Sequence, residues 1–238
     1  AEGAGFECLQ CSEGNVAVGF NSIRNYNGPT FDSGYSFNVP VQEAVDAFEA
    51  GDPRKDETLL YFAKSEAEAA TMQPNTPYNE KPIAASNVVN KYYNKKAYTN
   101  PALRNTYSKA GHWFNIRLIR YSDVLLMAAE AANELGNSAQ ALVYLEQVRA
   151  RARAGNNAIL PAVTTTVQSE LRDAIRHERR VELAMEFDRF YDLVRWNIDV
   201  ETLHNAGKTA YQTKHRLLPL PQAQIDRSNG VLIQNPNY

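Results

Sequence analysis

From Ile116 onward the apolar residues of this 238-residue chain recur at the spacing of an α-helix, and this pattern limits the possible folds more than any other feature. The stripe consists of Leu118, Tyr121, Leu125, Ala128, Ala132 and Leu135. Steps of three and four residues place such side chains on one face, so the pattern predicts an amphipathic helix. Gly136 follows at the position where a left-handed residue commonly ends a helix.

A second helix follows immediately. Its apolar stripe is Ala141, Leu145, Val148 and Ala152, ahead of Gly155. We expect Ser138 to cap its amino terminus, because serine is favoured at that position. The two helices should form an antiparallel hairpin whose many alanines let the backbones approach closely, as in a tetratricopeptide unit. One such unit cannot bury its outer face alone, and no second copy follows at a period of about 34 residues.

Residues 1–115 have a different character, in which short apolar runs alternate with turn-forming residues. Residues 5–13 and 15–20 are predicted to be strands, and residues 21–38 a long loop. A short helix is expected within residues 41–51, ended by Gly51 and Pro53. The predicted fold is therefore mainly α, with residues 116–238 as a helical scaffold and with long loops and a few short strands in residues 1–115.

Charge and hydropathy exclude two classes of protein. Lysine and arginine number 25 against 27 acidic residues, for a net charge of −2, so the chain lacks the basic footprint of a nucleic-acid-binding protein. No apolar stretch reaches the roughly 18 residues that a membrane-spanning helix needs. The opening residues also lack the basic and then apolar order of a signal peptide, and are expected to begin within a longer protein.

The two cysteines, Cys8 and Cys11, have the spacing of half a zinc site or of a redox pair. A second ligand pair is missing, since the four histidines are scattered singly. We therefore expect both to be structural residues of a strand, which behave as small apolar side chains, with no metal and no cofactor. Whether they pair with each other stays open.

The segment from Glu178 to Trp196 is expected to form one helix. Leu183, Phe187, Phe190 and Val194 would face the core. The other face alternates in charge through Arg179, Glu182, Glu186, Arg189, Asp192 and Arg195. Because arginine neighbours lower the pKa of a carboxyl group, these glutamates are predicted to be structural cross-links and poor general acids.

Five segments, taken together and in order, resemble the carboxyl-terminal half of the SusD/RagB family. They are residues 37–59, 115–136, 141–152, 175–196 and 217–238. The resemblance implies a mostly helical, non-catalytic protein at the extracellular face of the bacterial outer membrane. Such proteins bind oligosaccharides or related nutrients and deliver them to a TonB-dependent transporter. The chain departs from the family in lacking a signal peptide, a lipid-bearing cysteine and earlier helical repeats, so any membrane attachment would be through a lipid anchor outside it.

The loop from Arg24 to Asn38 has the composition of a sugar-binding surface. Sugar rings stack on aromatic side chains, and their hydroxyls bond to amides, carboxylates and guanidinium groups. The candidate ligand-binding residues are Arg24, Tyr26, Asn27, Phe31, Asp32 and Tyr35. In the competing interpretation Tyr35 and Phe37 alternate as in a strand and belong to the core. Tyr92, Tyr93 and Tyr98 are set among Lys91, Lys95 and Lys96, which leaves two interpretations: a carbohydrate or acidic-ligand surface, and a solvated edge segment, which we expect.

Two alternative functions remain from the sequence. A helical adaptor would bind protein partners and no sugar. A glycoside hydrolase needs two carboxyl groups about 5 to 9 Å apart, one of them without an arginine neighbour, and Asp32 with Asp46 or Glu49 is the available pair.

Overall fold

The computed structural model describes residues 20–24, 34–76, 78–81, 83, 91–100 and 115–238. The predicted strand at 5–13, the predicted strand at 15–20 except Phe20, both cysteines and four candidate ligand residues (Tyr26, Asn27, Phe31 and Asp32) lie outside this part. The chain divides into two compact units, Ala1–Glu186 and Phe187–Tyr238, and each is described by itself.

The first half of unit 1 combines short helices with one antiparallel strand pair. Its elements are α1 (Gln42–Asp46), α2 (Arg54–Thr58), β1 (Leu59–Tyr61), α3 (Glu66–Thr71), β2 (Tyr92–Asn94) and a 3-10 turn (Lys95–Ala97). Leu59 lies opposite Asn94, and Tyr61 opposite Tyr92. The predicted helix at residues 41–51 is confirmed only as the five-residue α1. Gly51 follows it with a φ of +76°, which favours glycine.

The prediction of a solvated edge around the tyrosines of β2 is wrong. Tyr93 and Tyr98 are only 2% and 6% exposed, and they pack with Ile23, Leu60 and Phe62 in one cluster. Alternate residues of a strand point to opposite faces, so pairing with β1 directs Tyr93 into this core and leaves Tyr92 half-buried.

Three long helices form the second half of unit 1: α4 (Tyr121–Glu134), α5 (Ser138–Arg153) and α6 (Gln168–Glu182). Their core residues are Leu125, Leu126, Ala129, Ala141, Leu145, Val148, Leu171 and Ile175. The predicted apolar stripe of α5 is buried throughout, which confirms the helical hairpin. Helix α6 packs against α4 and α5 and covers one side of it.

The stripe predicted for α4 is partly wrong. The helix begins only at Tyr121, so Leu118 lies outside it and is 82% exposed, and Leu135 at its end is 85% exposed. Packing against α5 and α6 buries Leu126, Ala129 and Asn133 instead.

The turn between α4 and α5 follows local rules, with one correction. Gly136 has a φ of +77° and donates to the carbonyl of Asn133, while Asn137 N donates to Ala132 O at 2.8 Å. These two bonds form a Schellman motif. The positive φ of Gly136 confirms the prediction that a left-handed residue ends the helix here. The cap of α5 is Asn137, whose side chain accepts from Gln140 N, and Ser138 is the first helical residue.

The prediction of one helix from Glu178 to Trp196 is also wrong. Helix α6 ends at Glu182, and α7 (Arg189–Arg195) starts the helices of unit 2. Met185 and Phe187 between them have φ values of +67° and +77°, which a right-handed helix excludes. Leu183 is buried as expected, but Phe187 and Phe190 are 52% and 38% exposed and Val194 is half-buried.

Unit 2 contains α7, α8 (Asp199–Asn205), a 3-10 turn (Thr213–Arg216) and α9 (Gln222–Arg227). Its buried polar centre is Asp199, whose Oδ2 accepts from Arg216 Nε and from the Tyr211 hydroxyl, both at 2.8 Å. These bonds tie the segment after α8 to the start of α8. None of the helices among the described residues is long and apolar enough to cross a membrane.

Candidate functional site

Three aromatic rings lie together at the surface of unit 1: Phe20, Tyr35 and Phe37, called here the aromatic surface. Their ring centroids are 5.5 to 6.0 Å apart, and Tyr35 stacks on Phe37 at an interplanar angle of 24°. The residues are 41%, 37% and 65% exposed. An aromatic cluster left in water on a folded surface is typical of a binding site.

Backbone pairing holds these rings in place. Phe37 N donates to Phe20 O at 2.8 Å, Ser36 N to Ser22 O at 2.9 Å and Gly34 N to Ile23 O at 2.9 Å. The Ile23 side chain is fully buried and anchors the segment in the core. The aromatic surface is therefore fixed to the scaffold through its backbone.

Arg24 lies beside the aromatic surface. Its backbone N–H donates to Ser36 Oγ at 2.9 Å, and its guanidinium Nη2 donates to Tyr35 O at 3.0 Å. A guanidinium group has five N–H donors, so others remain to bond a hydroxyl or an anion. The structure thus brings together two of the candidate ligand residues, Arg24 and Tyr35.

The sequence reasoning missed Phe20 as a site residue, because it was assigned to a strand. Its pattern gave no signal, since its ring neighbours, Tyr35 and Phe37, come from 15 and 17 residues further along the chain. The alternative that placed Tyr35 and Phe37 in the core does not agree with their exposure.

Buried carboxylates of α6 form a second constellation, the ion-pair network. Its members are Arg54, Arg120, Arg149, Arg151, Glu178 and Glu182. Glu178 lies between Arg54 at 2.5 Å and Arg149 at 2.7 Å. Glu182 accepts from Arg54 at 3.1 Å, from Arg151 at 2.5 Å and from Arg120. The network joins α2, α5, α6 and the residue preceding α4.

The charged residues that alternate along the predicted helix instead form ion pairs between different elements. Arg179 pairs with Asp123 of α4 at 2.8 Å, and Glu186 with Lys96 at 2.5 Å and Arg120 at 2.7 Å. Asp192 and Arg195 of this set pair within α7, at 2.8 Å. The prediction of structural cross-links is confirmed, although the partners differ.

Electrostatics argue against acid catalysis by this network. Burial acts to raise the pKa of Glu182, but the hydrogen bond from Arg120 and the charges of Arg120 and Arg151 lower it to about 2. A hydrogen bond from Arg149 lowers the pKa of Glu49. Both groups therefore stay ionised at neutral pH and hold no proton for a leaving group.

Glu49 belongs to one of the two carboxyl pairs that the sequence offers for a glycoside hydrolase, and its lowered pKa disfavours it as the general acid. Asp46 accepts from Gln42 Nε2 at 2.8 Å on α1, and Asp32 lies outside the described residues. Across the described ranges, no group of three or more His, Cys, Asp or Glu side chains is placed to hold a metal ion.

Comparison with known proteins gives one consistent result. The model of the SusD family matches residues 14–238 of the chain. The SusD-like protein P2 of Formosa agariphila is 31% identical over 217 residues, which cover 87% of this chain and 41% of that protein. The SusD-like protein P25 of the same organism is 37% identical over 130 residues, 52% of this chain and 24% of that protein.

Solved structures agree on the fold. The surface glycan-binding protein A of Bacteroides thetaiotaomicron has a TM-score of 0.71 at 24% identity, over 95% of this chain and 47% of that one. A SusD superfamily protein of Bacteroides vulgatus has a TM-score of 0.67 at 23% identity, over 92% and 48%. The fold is mainly α with tetratricopeptide-like helices, as predicted. The chain spans less than half the length of these relatives.

Proposed function

Because this chain belongs to the SusD family, we propose that it binds an oligosaccharide without cleaving it, as part of nutrient capture at the bacterial cell surface. The aromatic surface is the observation that carries this proposal. It combines exposed rings with the guanidinium group of Arg24, and these are the groups that the apolar faces and hydroxyls of a sugar require.

The positions of the rings support a platform of fixed shape. Phe20 and Phe37 are joined by a backbone hydrogen bond and their centroids are 5.8 Å apart, so both move with the scaffold. A preorganised site loses little conformational entropy when a flexible oligosaccharide binds. Tyr26, Asn27, Phe31 and Asp32, which lie outside the described residues, stay predicted contacts of the same ligand.

The relatives support a sugar ligand. The name of the structural neighbour from Bacteroides thetaiotaomicron describes it as a surface glycan-binding protein, and its fold is shared over 95% of this chain. We extend the proposal to the family's wider context: delivery of the glycan to a TonB-dependent transporter at the extracellular face of the outer membrane, with a lipid anchor outside these residues.

The absence of turnover is part of the proposal, and the paired carboxylates support it. Glu182 and Glu49 have lowered pKa values and arginine partners, so they are suited to cross-linking and unsuited to protonating a glycosidic oxygen. Measuring whether sugar products are released during a ligand titration also tests the hydrolase alternative.

The test is a pair of measurements on Phe37→Ala. An array of neutral oligosaccharides first identifies a ligand, which is then titrated calorimetrically into the parent and the variant. Loss of a stacking ring should weaken binding by roughly tenfold to a hundredfold, about 1 to 3 kcal/mol by analogy with other aromatic stacking surfaces. The melting temperature should hardly change, since the residue is 65% exposed.

Tyr121→Ala serves as the matched control, because Tyr121 is 71% exposed, lies on α4 and makes no ring contact with the aromatic surface in the described part of the chain. It should bind the oligosaccharide as the parent does. Equal binding by Phe37→Ala and the parent would exclude the aromatic surface. Sugar products released during the titration would favour the hydrolase, and no binding to any glycan would favour the adaptor.

A further inference from the structure

A cleft of about 640 Å³ opens in unit 1, and none of its lining residues belongs to the aromatic surface. It is formed by α2, β1, the strand β2 and the loop after α3, and is called here the lysine cleft. The residues that carry the argument are Lys55, Tyr61, Asn75, Lys91 and Tyr92. Its volume is within the range of about 300 to 1,000 Å³ that is usual for small-molecule sites.

Two of the three lysines that line the cleft are available to pair with an anionic ligand. Lys95 is buried, donates to Asp56 O at 2.7 Å and lies 3.6 Å from a carboxylate oxygen of Glu57. In contrast, no carboxylate among the described residues forms an ion pair with Lys55 or Lys91. Asp56 and Glu57 also line the cleft, but Glu57 is largely exposed and is engaged by Lys95.

Aromatic rings hold Lys91 at the cleft. Its ammonium nitrogen is 5.1 Å from the ring centroid of Tyr61 and 5.7 Å from that of Tyr92, and the two rings are 5.6 Å apart. Such cation–π contacts orient an ammonium group and leave its other hydrogens available to an anion. The pairing of β1 with β2 makes this arrangement, because Tyr61 lies directly opposite Tyr92.

An unsatisfied acceptor lies in the wall of the same cleft. Asn75 Nδ2 donates to Tyr61 O at 2.6 Å, while its Oδ1 is buried and accepts no hydrogen bond within the described part of the chain. Leaving a buried acceptor unpaired costs roughly 1 to 3 kcal/mol. A ligand hydroxyl that reached Asn75 after a small side-chain rotation would satisfy it.

We propose that the lysine cleft binds a saccharide that carries a carboxylate or sulfate group. Lys55 and Lys91 pair with the anionic group, the rings of Tyr61 and Tyr92 contact the apolar part of the sugar, and Asn75 accepts from a hydroxyl. The choice of a saccharide rests on the proposed function, but the cleft shares no residue with the aromatic surface. The two sites can therefore fail independently.

The test uses trigalacturonate as the carboxylated probe, a sulfated galactan trisaccharide as the sulfated probe and methyl-esterified trigalacturonate as the uncharged counterpart. Calorimetric titration of the chain should show that at least one acidic probe binds more tightly than the ester. The difference should shrink as salt is raised, because exposed charges are screened. The acidic probe that binds more tightly shows whether the cleft prefers a carboxylate or a sulfate group.

Variants locate the site. Lys91→Gln should weaken binding of the acidic probe by about fivefold, and Lys55→Gln combined with Lys91→Gln by at least about tenfold, as expected for partly exposed ion pairs. Lys91→Arg keeps the charge and should bind within about twofold of the parent. The control Lys208→Gln removes the same charge from an exposed lysine that does not line the cleft.

Two results would overturn the proposal: acidic probes that bind no better than the ester, or a double glutamine variant that binds as tightly as Lys208→Gln. Binding of a polyglutamate peptide in place of the saccharides would also overturn it, in favour of an acidic protein segment. Phe37→Ala should leave the binding of the acidic probe unchanged, and this separates failure of the cleft from failure of the aromatic surface.

Discussion

Replacement of Glu182 by glutamine tests the role of the ion-pair network directly. Glutamine has the size of a protonated glutamate but cannot accept from three arginines as an anion does. Glu182 is 2% exposed, and Arg54, Arg120 and Arg151 all donate to it. The substitution leaves these guanidinium groups with one negative charge fewer, and the side chains of Arg54 and Arg120 are largely shielded from water, so we expect the fold to lose stability.

The magnitude follows from the pKa. The value for Glu182 falls from 4.5 to about 2, a gap of about 2.5 units, and each unit corresponds to about 1.36 kcal/mol. The charged form thus contributes about 3 kcal/mol at neutral pH, in agreement with the roughly 3 to 5 kcal/mol lost when one partner of a buried pair is removed. Because the folded pKa is depressed, this contribution is complete above pH 4.5 and is lost as the pH falls toward 2.

Denaturant unfolding of the parent and of Glu182→Gln gives the measurement. At pH 7 the free energy of unfolding should fall by about 3 kcal/mol, and the difference should narrow below pH 4.5. Glu134→Gln is the matched control, since Glu134 pairs with Arg172 at 2.6 Å on the surface and should cost less than about 1 kcal/mol. Equal losses in the two variants, or a difference independent of pH, would refute the reasoning.

Two further predictions concern other parts of the fold. Gly51→Ala should destabilise unit 1 by about 1 to 2 kcal/mol in a thermal melt, since φ is +76° and the new Cβ would lie 2.9 Å from Ile159 Cγ2. The control Gly155→Ala should destabilise it less, because no atom of the described residues lies near its new Cβ. Asp199→Asn should lower the free energy of unfolding by about 2 kcal/mol at neutral pH, because hydrogen bonds from Arg216 and Tyr211 lower the Asp199 pKa to about 2. This loss should diminish as the pH falls from 3.8 toward 2, and a loss that does not change with pH would contradict the explanation.

Features set by a few neighbouring residues could be predicted from the sequence. The hairpin of α4 and α5 follows from apolar periodicity, and the turn between them from Gly136, whose left-handed conformation needs no distant contact. The exact buried face of α4 could not be predicted, because it depends on where α5 and α6 pack. Asn133 is 1% exposed for that reason, while the more apolar Leu135 is 85% exposed.

The break after Glu182 gave no signal in the sequence. A left-handed turn is usually marked by glycine or asparagine, but here Met185 and Phe187 adopt positive φ. The sequence predicted that these glutamates form ion pairs with arginines, but it did not predict which arginines. Spacing within a helix suggested Arg179 as the partner of Glu182, whereas its carboxylate accepts from Arg54 and Arg120, which are 128 and 62 residues away.

The aromatic loop could be recognised from its composition, but the contact between Phe20 and Phe37 forms only in the folded chain. The lysine cleft shows the same limit, since the sequence singled out Tyr92 and favoured a solvated edge for it over a ligand surface, and gave no indication of Tyr61. Tyr61 and Tyr92 meet through strand pairing across 31 residues, a contact that no local pattern encodes. A candidate site can be recognised from sequence by its residue types, and its geometry depends on the pairing of distant segments.

The ion-pair network and the lysine cleft are linked by α2. Arg54, the first residue of this helix, donates to Glu178 and Glu182 of α6, and Lys55, the next residue, lines the cleft. Strand β1 follows α2 without a break and supplies Tyr61. Ion pairs from Arg54 to two buried carboxylates thus fix one wall of the cleft to the helical scaffold. It follows that Glu182→Gln should weaken binding of an acidic saccharide only where it also loosens α2, whereas Lys91→Gln should weaken binding in a fold of unchanged stability.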